Sequence, residues 1–414
     1  MSTIFKQYLN TLSDALKAGT ATEHTHRPTL KTLLEALDPQ ITATNEPKQI
    51  ACGAPDYILT RSGFTIGYIE AKDVGKSLND VERSDQLKPY RKALSNLVLT
   101  DYLEFRWYVD GELRQEARLA RVQAGGNLKA EKDGTEAVEA LLQNFLAHQT
   151  EPVNNPKELA ERMARLTHII RDIIFTAFET GQESNLLQGW REAFAQVLIA
   201  DLGQPERTAD FADMVAQTLA YGLFSARLMD TTPETFTRHE AQNLIPKSNP
   251  FLRRFFARMT SIELDEEPFA PFVNDLVNLL AHTDMDAVLA DFGKRTRQED
   301  PIVHFYETFL AAYDPKLREA RGVYYTPEPV VSYIVRSVDY LLKTRFDCPQ
   351  GLADSSKTTV PNHHHSLKVK GKKQTRKTTE SHKVLVLDPA TGTGTLLYAA
   401  IDHIPEQFMA QRNA

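Results

Sequence analysis

The sequence predicts an α/β multidomain chain with a mixed helix-and-strand head, a helical connector and a closing strand–turn–helix unit. Three observations predict it. Helical and strand periods alternate over residues 1–150, the helical period alone persists over 151–320, and an apolar run enters a glycine-rich turn within 321–414. A length of 414 residues suits two or three domains, at about 100–200 residues each. Charged residues make up 25% and the net charge is −7, which argues against a histone-like nucleic-acid binder. A local basic groove stays compatible with that balance, because net charge averages over the whole surface. Cys52 and Cys348 are too few for a disulfide framework and too far apart for a metal pair, so a reducing cytoplasmic setting is expected. The start lacks an apolar stretch of signal-peptide length, and nowhere do about 18 apolar residues run together, so no membrane partner is expected.

In the head, Phe5, Tyr8, Leu9 and Leu12 recur at helical spacing, as do Leu30, Leu33, Leu34 and Leu37. PDYILTRSG and FTIGYIEAKD read as two strands meeting at Arg61–Ser62–Gly63. A polar helical stretch, VERSDQLKPYRKAL, follows. NLVLTDYLEFRWYVDGELRQ then reads as two more strands joined at Asp110–Gly111, a dipeptide favoured in hairpin turns. In the connector, Phe211, Met214, Val215, Leu219 and Leu223 form one stripe, and Leu187, Trp190, Phe194, Val197 and Leu198 another. Stripes of this kind are bundle core, and no chemical motif accompanies them.

The third region opens at GVYYTPEPVVSYIV, where Thr326–Pro327 signals a helix start and Val330, Ile334, Val338 and Leu341 recur along the helix. Residues 353–383 lose the apolar pattern and read as a flexible surface loop, basic through Lys368, Lys370, Lys372, Lys373, Arg376 and Lys377. A solvated insertion is the expected role, with a DNA-phosphate contact as the alternative. His363–His365 has no partner cluster at zinc-ligand spacing. KVLVLDPATGTGTLLYAAI then reads as a buried strand, a glycine-rich turn and a helix.

Chemistry is concentrated at two places. Asp56 begins one strand of the hairpin, while Glu70 and Lys72 lie on the next. Residues i and i+2 of a strand face the same side, so Glu70 and Lys72 point together, and a hairpin can bring Asp56 beside them. Two carboxylates make an oxygen site suited to Mg²⁺. A neighbouring lysine can position or help deprotonate a water that attacks a phosphate. A surface hairpin with a salt bridge is the bland alternative. This stretch resembles the PD-(D/E)xK nuclease superfamily through Pro55–Asp56 and Glu70–Ala71–Lys72. The Q-x-x-x-Y string of its RecB-like branch has a counterpart in Gln86–Tyr90, so the resemblance implies catalytic roles for Asp56, Glu70, Lys72, Gln86 and Tyr90. It also implies an acidic metal ligand from an early helix, for which Glu23 stands in the right place. Gly75–Lys76–Ser77 mimics the end of a phosphate-binding loop, but Glu70 stands where its first glycine belongs, so no nucleotide-driven motor is expected.

The second place is Asp388–Thr395. A strand ending in a glycine-rich turn lets a ligand approach the backbone closely at a helix N-terminus. A dinucleotide fingerprint needs a further glycine where Leu397 stands. The string instead resembles motif I of gamma-class S-adenosylmethionine-dependent DNA adenine methyltransferases, and Gly322–Pro327 resembles the G-x-Y-Y-T-P element before it. The resemblance implies cofactor contacts from Tyr325, Thr326, Asp388, Pro389, Ala390, Gly392 and Gly394. Such enzymes hold a flipped adenine with N-P-P-Y or D-P-P-Y. No such tetrapeptide occurs in these residues, and Asn249–Pro250 is followed by Phe251 and Leu252.

The expected architecture is therefore a PD-(D/E)xK nuclease-like α/β domain at 1–150, a helical connector at 151–320 and an incomplete Rossmann-like methyltransferase start at 321–414. That order resembles type IIG and type ISP-like restriction–modification enzymes. It implies Mg²⁺-dependent cleavage and S-adenosylmethionine-dependent adenine methylation of double-stranded DNA, with the chain expected to be truncated before the methylation motif. The alternatives are a nuclease with a vestigial methyltransferase segment, or a non-catalytic DNA- or cofactor-binding subunit completed by a second polypeptide.

Overall fold

The computed structural model describes residues 3–19, 23–45, 55–61, 64–84, 87, 91, 94–148, 152–232, 236–245, 250–258, 261–290, 301–316, 326, 328–361, 367–369, 372–374, 378–389, 391 and 394–412. They form a mixed α/β structure that divides into two compact units, 1–291 with 308–315 and 292–307 with 316–414.

In the first unit, α1 (Thr3–Lys17) buries Phe5, Tyr8, Leu9 and Leu12, and α2 (Glu23–Leu37) buries Leu30, Leu33 and Leu34, following the spacing that predicts them. They cover a six-stranded sheet of β1 (Ile41–Asn45), β2 (Tyr57–Arg61), β3 (Phe64–Ala71), β4 (Asn96–Thr100), β5 (Glu104–Val109) and β6 (Glu112–Arg118), in that spatial order. Neighbours are antiparallel except β3 and β4, which run parallel. A parallel pair needs a crossover, and the short α3 (Leu78–Glu82) lies within it. Ala43, Tyr57, Leu59, Ile69, Ala71 and Phe105 form the sheet's contribution to a core shared with α1, α2 and α4 (Gly134–Ala147). Strand alternation consequently sends Tyr68 and Glu70 to the opposite face.

Two expectations for the head need correction. β1 has no counterpart in the sequence reading, because ITATN is short and carries few apolar residues. The run Asn96–Val109 is two strands rather than one: it breaks at 101–103, where Tyr102 adopts φ 68°. Asp110 and Gly111 do form the expected turn between β5 and β6, with φ 50° and 86°. A small pair, β7 (Ala120–Val122) and β8 (Leu128–Ala130), completes the strands of this unit among the described residues.

The stretch expected as a connector is helical, opening with α5 (Pro156–Glu179), α6 (Asn185–Val197) and α7 (Thr208–Met229). Asn155 caps α5 by accepting from the Lys157 and Glu158 N–H groups, and Ser184 caps α6 through the Leu187 N–H. α7 buries Phe211, Val215, Leu219 and Leu223 as predicted. In α6, Leu187, Trp190 and Phe194 are buried, but Val197 and Leu198 are 58% and 51% exposed. The helix ends at Val197, so the stripe has no further turn on which to continue. Then come α8 (Arg238–Leu244), α9 (Pro250–Ala257), α10 (Ile262–Asp265), α11 (Ala270–Ala281), α12 (Met285–Ala290) and α13 (Pro301–Tyr313). α11 lies against the sheet: Phe272 stacks on Tyr68 of β3 with centroids 5.7 Å apart.

The second unit holds α14 (Glu328–Arg345), β9 (Lys357–Pro361), β10 (Leu367–Val369), β11 (Lys372–Gln374), β12 (Thr378–His382) and α15 (Thr395–Arg412). Its small core joins Val335, Leu352 and Ala400. Asp339 fastens it, accepting from Lys343 Nζ at 2.7 Å and the Leu352 N–H at 2.9 Å, with His403 Nε2 3.5 Å away. Gly351 is required beside it: φ is +59°, and a Cβ would stand 1.9 Å from Asp339 Oδ1.

Three expectations fail in this unit. The stripe Val330, Ile334, Val338 and Leu341 faces outward, whereas Val331 and Val335 are buried. The stretch 353–383, read as a loop, contains the antiparallel pairs β9–β12 and β10–β11. β9 and β12 are exposed on both faces and carry no apolar alternation, which is why no strand signal is visible in the sequence. Finally, Val384–Leu387 is not a buried strand: Leu385, Val386 and Leu387 are 75%, 56% and 86% exposed and have no strand assignment.

Candidate active site at the open end of the β2–β3 hairpin

The register of β2 and β3 pairs Tyr57 with Ile69, which brings the residue preceding Tyr57 to the level of Glu70 and Ala71. Asp56 Oδ2 accepts from the Ala71 N–H at 2.8 Å, and Oδ1 accepts from Arg27 Nη2 at 2.5 Å. On the far side of Ala71, Lys72 Nζ donates to Glu70 Oε1 at 2.5 Å, as two residues sharing a strand face can. The Lys72 N–H donates to the Thr100 carbonyl at 2.8 Å, prolonging the β3–β4 pairing one residue past the strand. All four charged side chains are withdrawn from solvent, with exposures of 7% and 12% for Arg27 and Asp56 and 6% and 14% for Glu70 and Lys72. Removal from water strengthens each pair relative to a surface ion pair and makes each expensive to break.

Of the other residues predicted here, Gln86 and Tyr90 lie outside the described residues. Glu23 opens α2 one turn before Arg27, and its side chain is likewise outside them. Among the described residues no group of three or more His, Cys, Asp or Glu gathers as a metal site. Asp56 and Glu70 nonetheless fit a hard divalent cation in donor chemistry, because Mg²⁺ takes as few as one or two carboxylates and keeps several waters. Lys72 and Arg27 already offset both negative charges, so such a cation would have to share Glu70 and Asp56 with them.

Residues without a sequence motif hold this end of the sheet. Asp101 Oδ1 accepts from the Leu103 and Glu104 N–H groups at 3.0 and 2.6 Å, and Oδ2 accepts from the Gly75 N–H at 3.1 Å. One buried carboxylate thereby ties the turn after Lys72 to the β4–β5 turn. Burial raises the Asp101 pKa despite those hydrogen bonds. Behind Asp56, the Tyr57 hydroxyl donates to the Arg27 carbonyl at 2.9 Å and the Tyr8 hydroxyl to the Tyr102 carbonyl at 2.8 Å. The His26 ring lies 5.4 Å from that of Tyr102, and burial lowers its pKa against the opposing pull of Asp73. Two strands across, Arg106 is paired in register with Leu99, itself opposite Glu70. Its guanidinium donates to Glu82 at 2.8 Å and to Glu104 at 2.7 Å, making this face of the sheet densely charged.

In the second unit, Asp388 is half-buried, its carbonyl accepting from the Thr391 hydroxyl at 2.8 Å. Gly394, at φ +81°, donates its N–H to the Thr391 carbonyl at 2.7 Å and leads into α15. Pro389 is exposed and Thr326 half-buried, while Tyr325, Ala390 and Gly392 lie outside the described residues.

No protein-family model matches the chain. No curated protein matches it either. Among solved structures, the chain is similar to one in a cryo-EM structure of a DrdV–DNA complex, with a TM-score of 0.33 and 20% identity over 99% of its own length. It spans 36% of that chain.

Proposed function

We propose that the first unit is a Mg²⁺-dependent DNA-cleaving module of the PD-(D/E)xK kind, in a chain of restriction–modification type. One observation carries the reading: Asp56, held on the Ala71 N–H, stands beside the buried Glu70–Lys72 pair. Asp56 and Glu70 would hold the cation. Bound there, Mg²⁺ supplies a Lewis acid for the scissile phosphate and a water of lowered pKa. Arg27 and the Ala71 N–H fix the two oxygens of Asp56, so its carboxylate is oriented before substrate arrives. The Lys72 ammonium, held at Glu70, positions the attacking water and offsets charge developing on the phosphate. Lys72→Ala tests this directly, with an expected fall in Mg²⁺-dependent cleavage of duplex DNA on the order of 10²-fold or more.

For the second unit we propose S-adenosylmethionine as the ligand class of the Asp388–Gly394 turn. Motif I binding sites place the cofactor across the carboxyl ends of neighbouring strands. Val384–Leu387 has no such neighbour among the described residues, and a further polypeptide segment would supply it. Methyl transfer is not proposed for these 414 residues alone, since they contain no N-P-P-Y or D-P-P-Y string.

A further inference from the structure

The helical part of the first unit contains a cleft of about 540 Å³ between α8 and α9. Gln242 and Asn243 of α8 line one side and Arg253 and Arg254 of α9 the other, with Ile245 in the lining. α9 is amphipathic in a way that aims its arginines there. Phe255 and Phe256 are buried in the core, while Arg253 and Arg254 are exposed. The neighbouring arginines behave differently. Arg238, at the start of α8, is paired with Asp265, and Arg258, just after α9, stands 3.9 Å from Glu263. Neither Arg253 nor Arg254 has an ion pair among the described residues, so two guanidinium groups line the cleft beside the Asn243 amide with no acidic partner of their own among those residues.

Guanidinium groups favour phosphate oxygens through paired N–H donors, and amides add neutral donors beside them. A small ligand needs roughly 70–90% of its surface buried to bind well. Here Arg253, Arg254 and Asn243 remain exposed, so a small ligand would stay largely in solvent. A polymer that brings affinity from many charges fits this open cleft better. We propose that the α8–α9 cleft is a phosphodiester-binding site that grips the backbone of duplex DNA, a contact separate from Asp56, Glu70 and Lys72. The proposal rests on the reading of the first unit as DNA-directed. The contact is independent of base sequence, because phosphates carry no base information.

Binding of the full chain to fluorescent duplexes of several sequences, by anisotropy in EDTA at a series of salt concentrations, tests it. Each phosphate contact contributes about 0.9 to the slope of log affinity against log salt. R253Q/R254Q is expected to lower that slope by about 0.9 to 1.8, weakening binding about 8- to 60-fold at 0.1 M salt on every duplex alike. R253K/R254K should retain most of the slope, which separates charge from fold, and both exposed substitutions should leave thermal melting unchanged. If R253Q/R254Q binds as tightly as the wild type with the same slope, the cleft is not a DNA contact. If inorganic phosphate protects the wild type but not R253Q/R254Q against thermal unfolding while DNA affinity is unchanged, the ligand is a free anion and the proposal also falls. Failure of the wild type to bind duplex DNA at all would overturn both this site and the DNA reading. Intact DNA binding with unaltered cleavage by Lys72→Ala would overturn only the assignment of the hairpin site.

Discussion

Asp275→Asn should erase a pH dependence of stability that the wild-type chain carries in mildly acid solution. Asp275 lies on α11 and meets β3 through the Tyr68 hydroxyl and Thr65. Burial raises its pKa from 3.8 to about 7, outweighing both hydrogen bonds, which act in the opposite direction. In the unfolded chain the carboxyl titrates near its ordinary value of about 3.9. Between those two values the folded state keeps a proton that the unfolded chain has released. The stabilisation is therefore complete below about pH 4 and is lost as the pH rises towards 7. A displacement of about 3 pH units at 1.36 kcal/mol each sets a ceiling of roughly 4 kcal/mol, of which roughly 3 falls between pH 4.5 and 7.5. Asparagine preserves an acceptor for the Tyr68 hydroxyl but has no proton to lose. Urea unfolding followed by intrinsic fluorescence at pH 4.5, 5.5, 6.5 and 7.5 measures the difference between the two proteins. The wild type should lose roughly 3 kcal/mol relative to Asp275→Asn across that range. Parallel stability curves for the two proteins would refute the claim that α11 and β3 are joined through a protonated carboxyl.

Three further outcomes are expected. Arg27→Ala leaves Asp56, 12% exposed, without its guanidinium, and should destabilise the first unit by about 2 kcal/mol in denaturant melts while also lowering Mg²⁺-dependent cleavage. Gly351→Ala places a methyl group 1.9 Å from Asp339 Oδ1 at φ +59°, so a melting transition of the second unit should lose about 2 kcal/mol or more, whereas the first unit's should stay unchanged. Calorimetry with S-adenosylmethionine should give weak or undetectable binding to this chain, because Val384–Leu387 has no paired strand beside it among the described residues; micromolar binding abolished by Asp388→Ala would contradict that expectation.

How much of the fold is legible in the sequence varies with how local the cause is. The helices bearing Phe5, Tyr8, Leu9 and Leu12, and the hairpin around Arg61, follow from periods within a few residues. The two faces of α14 do not, because Val330 and Ile334 compete with Val331 and Val335 and only tertiary packing decides which set is buried. The break at 101–103 is hidden inside an apolar run, although Asp101 turns the chain locally by accepting from the Leu103 and Glu104 N–H groups and is held as well by the Gly75 N–H 26 residues away. The spacing of Asp56, Glu70 and Lys72 is visible in sequence because one hairpin carries all three. Arg27 is not, for it comes from a helix 29 residues before Asp56 and belongs to no motif. The α8–α9 cleft is likewise invisible, because Arg253 and Arg254 read as the solvated side of an amphipathic helix until it is seen in space that they have no acidic partner among the described residues.

Cleavage of DNA with a divalent cation is the role we propose for the Asp56, Glu70 and Lys72 cluster. Its most direct measurement is the conversion of supercoiled plasmid to nicked and linear forms by the full chain, with and without Mg²⁺, alongside Lys72→Ala at matched folding. The wild type should cleave only with Mg²⁺, and cleavage should fall on the order of 10²-fold or more in the variant, with circular dichroism unchanged. Equal cleavage by Lys72→Ala, or no cleavage by the wild type at any Mg²⁺ concentration, would contradict it.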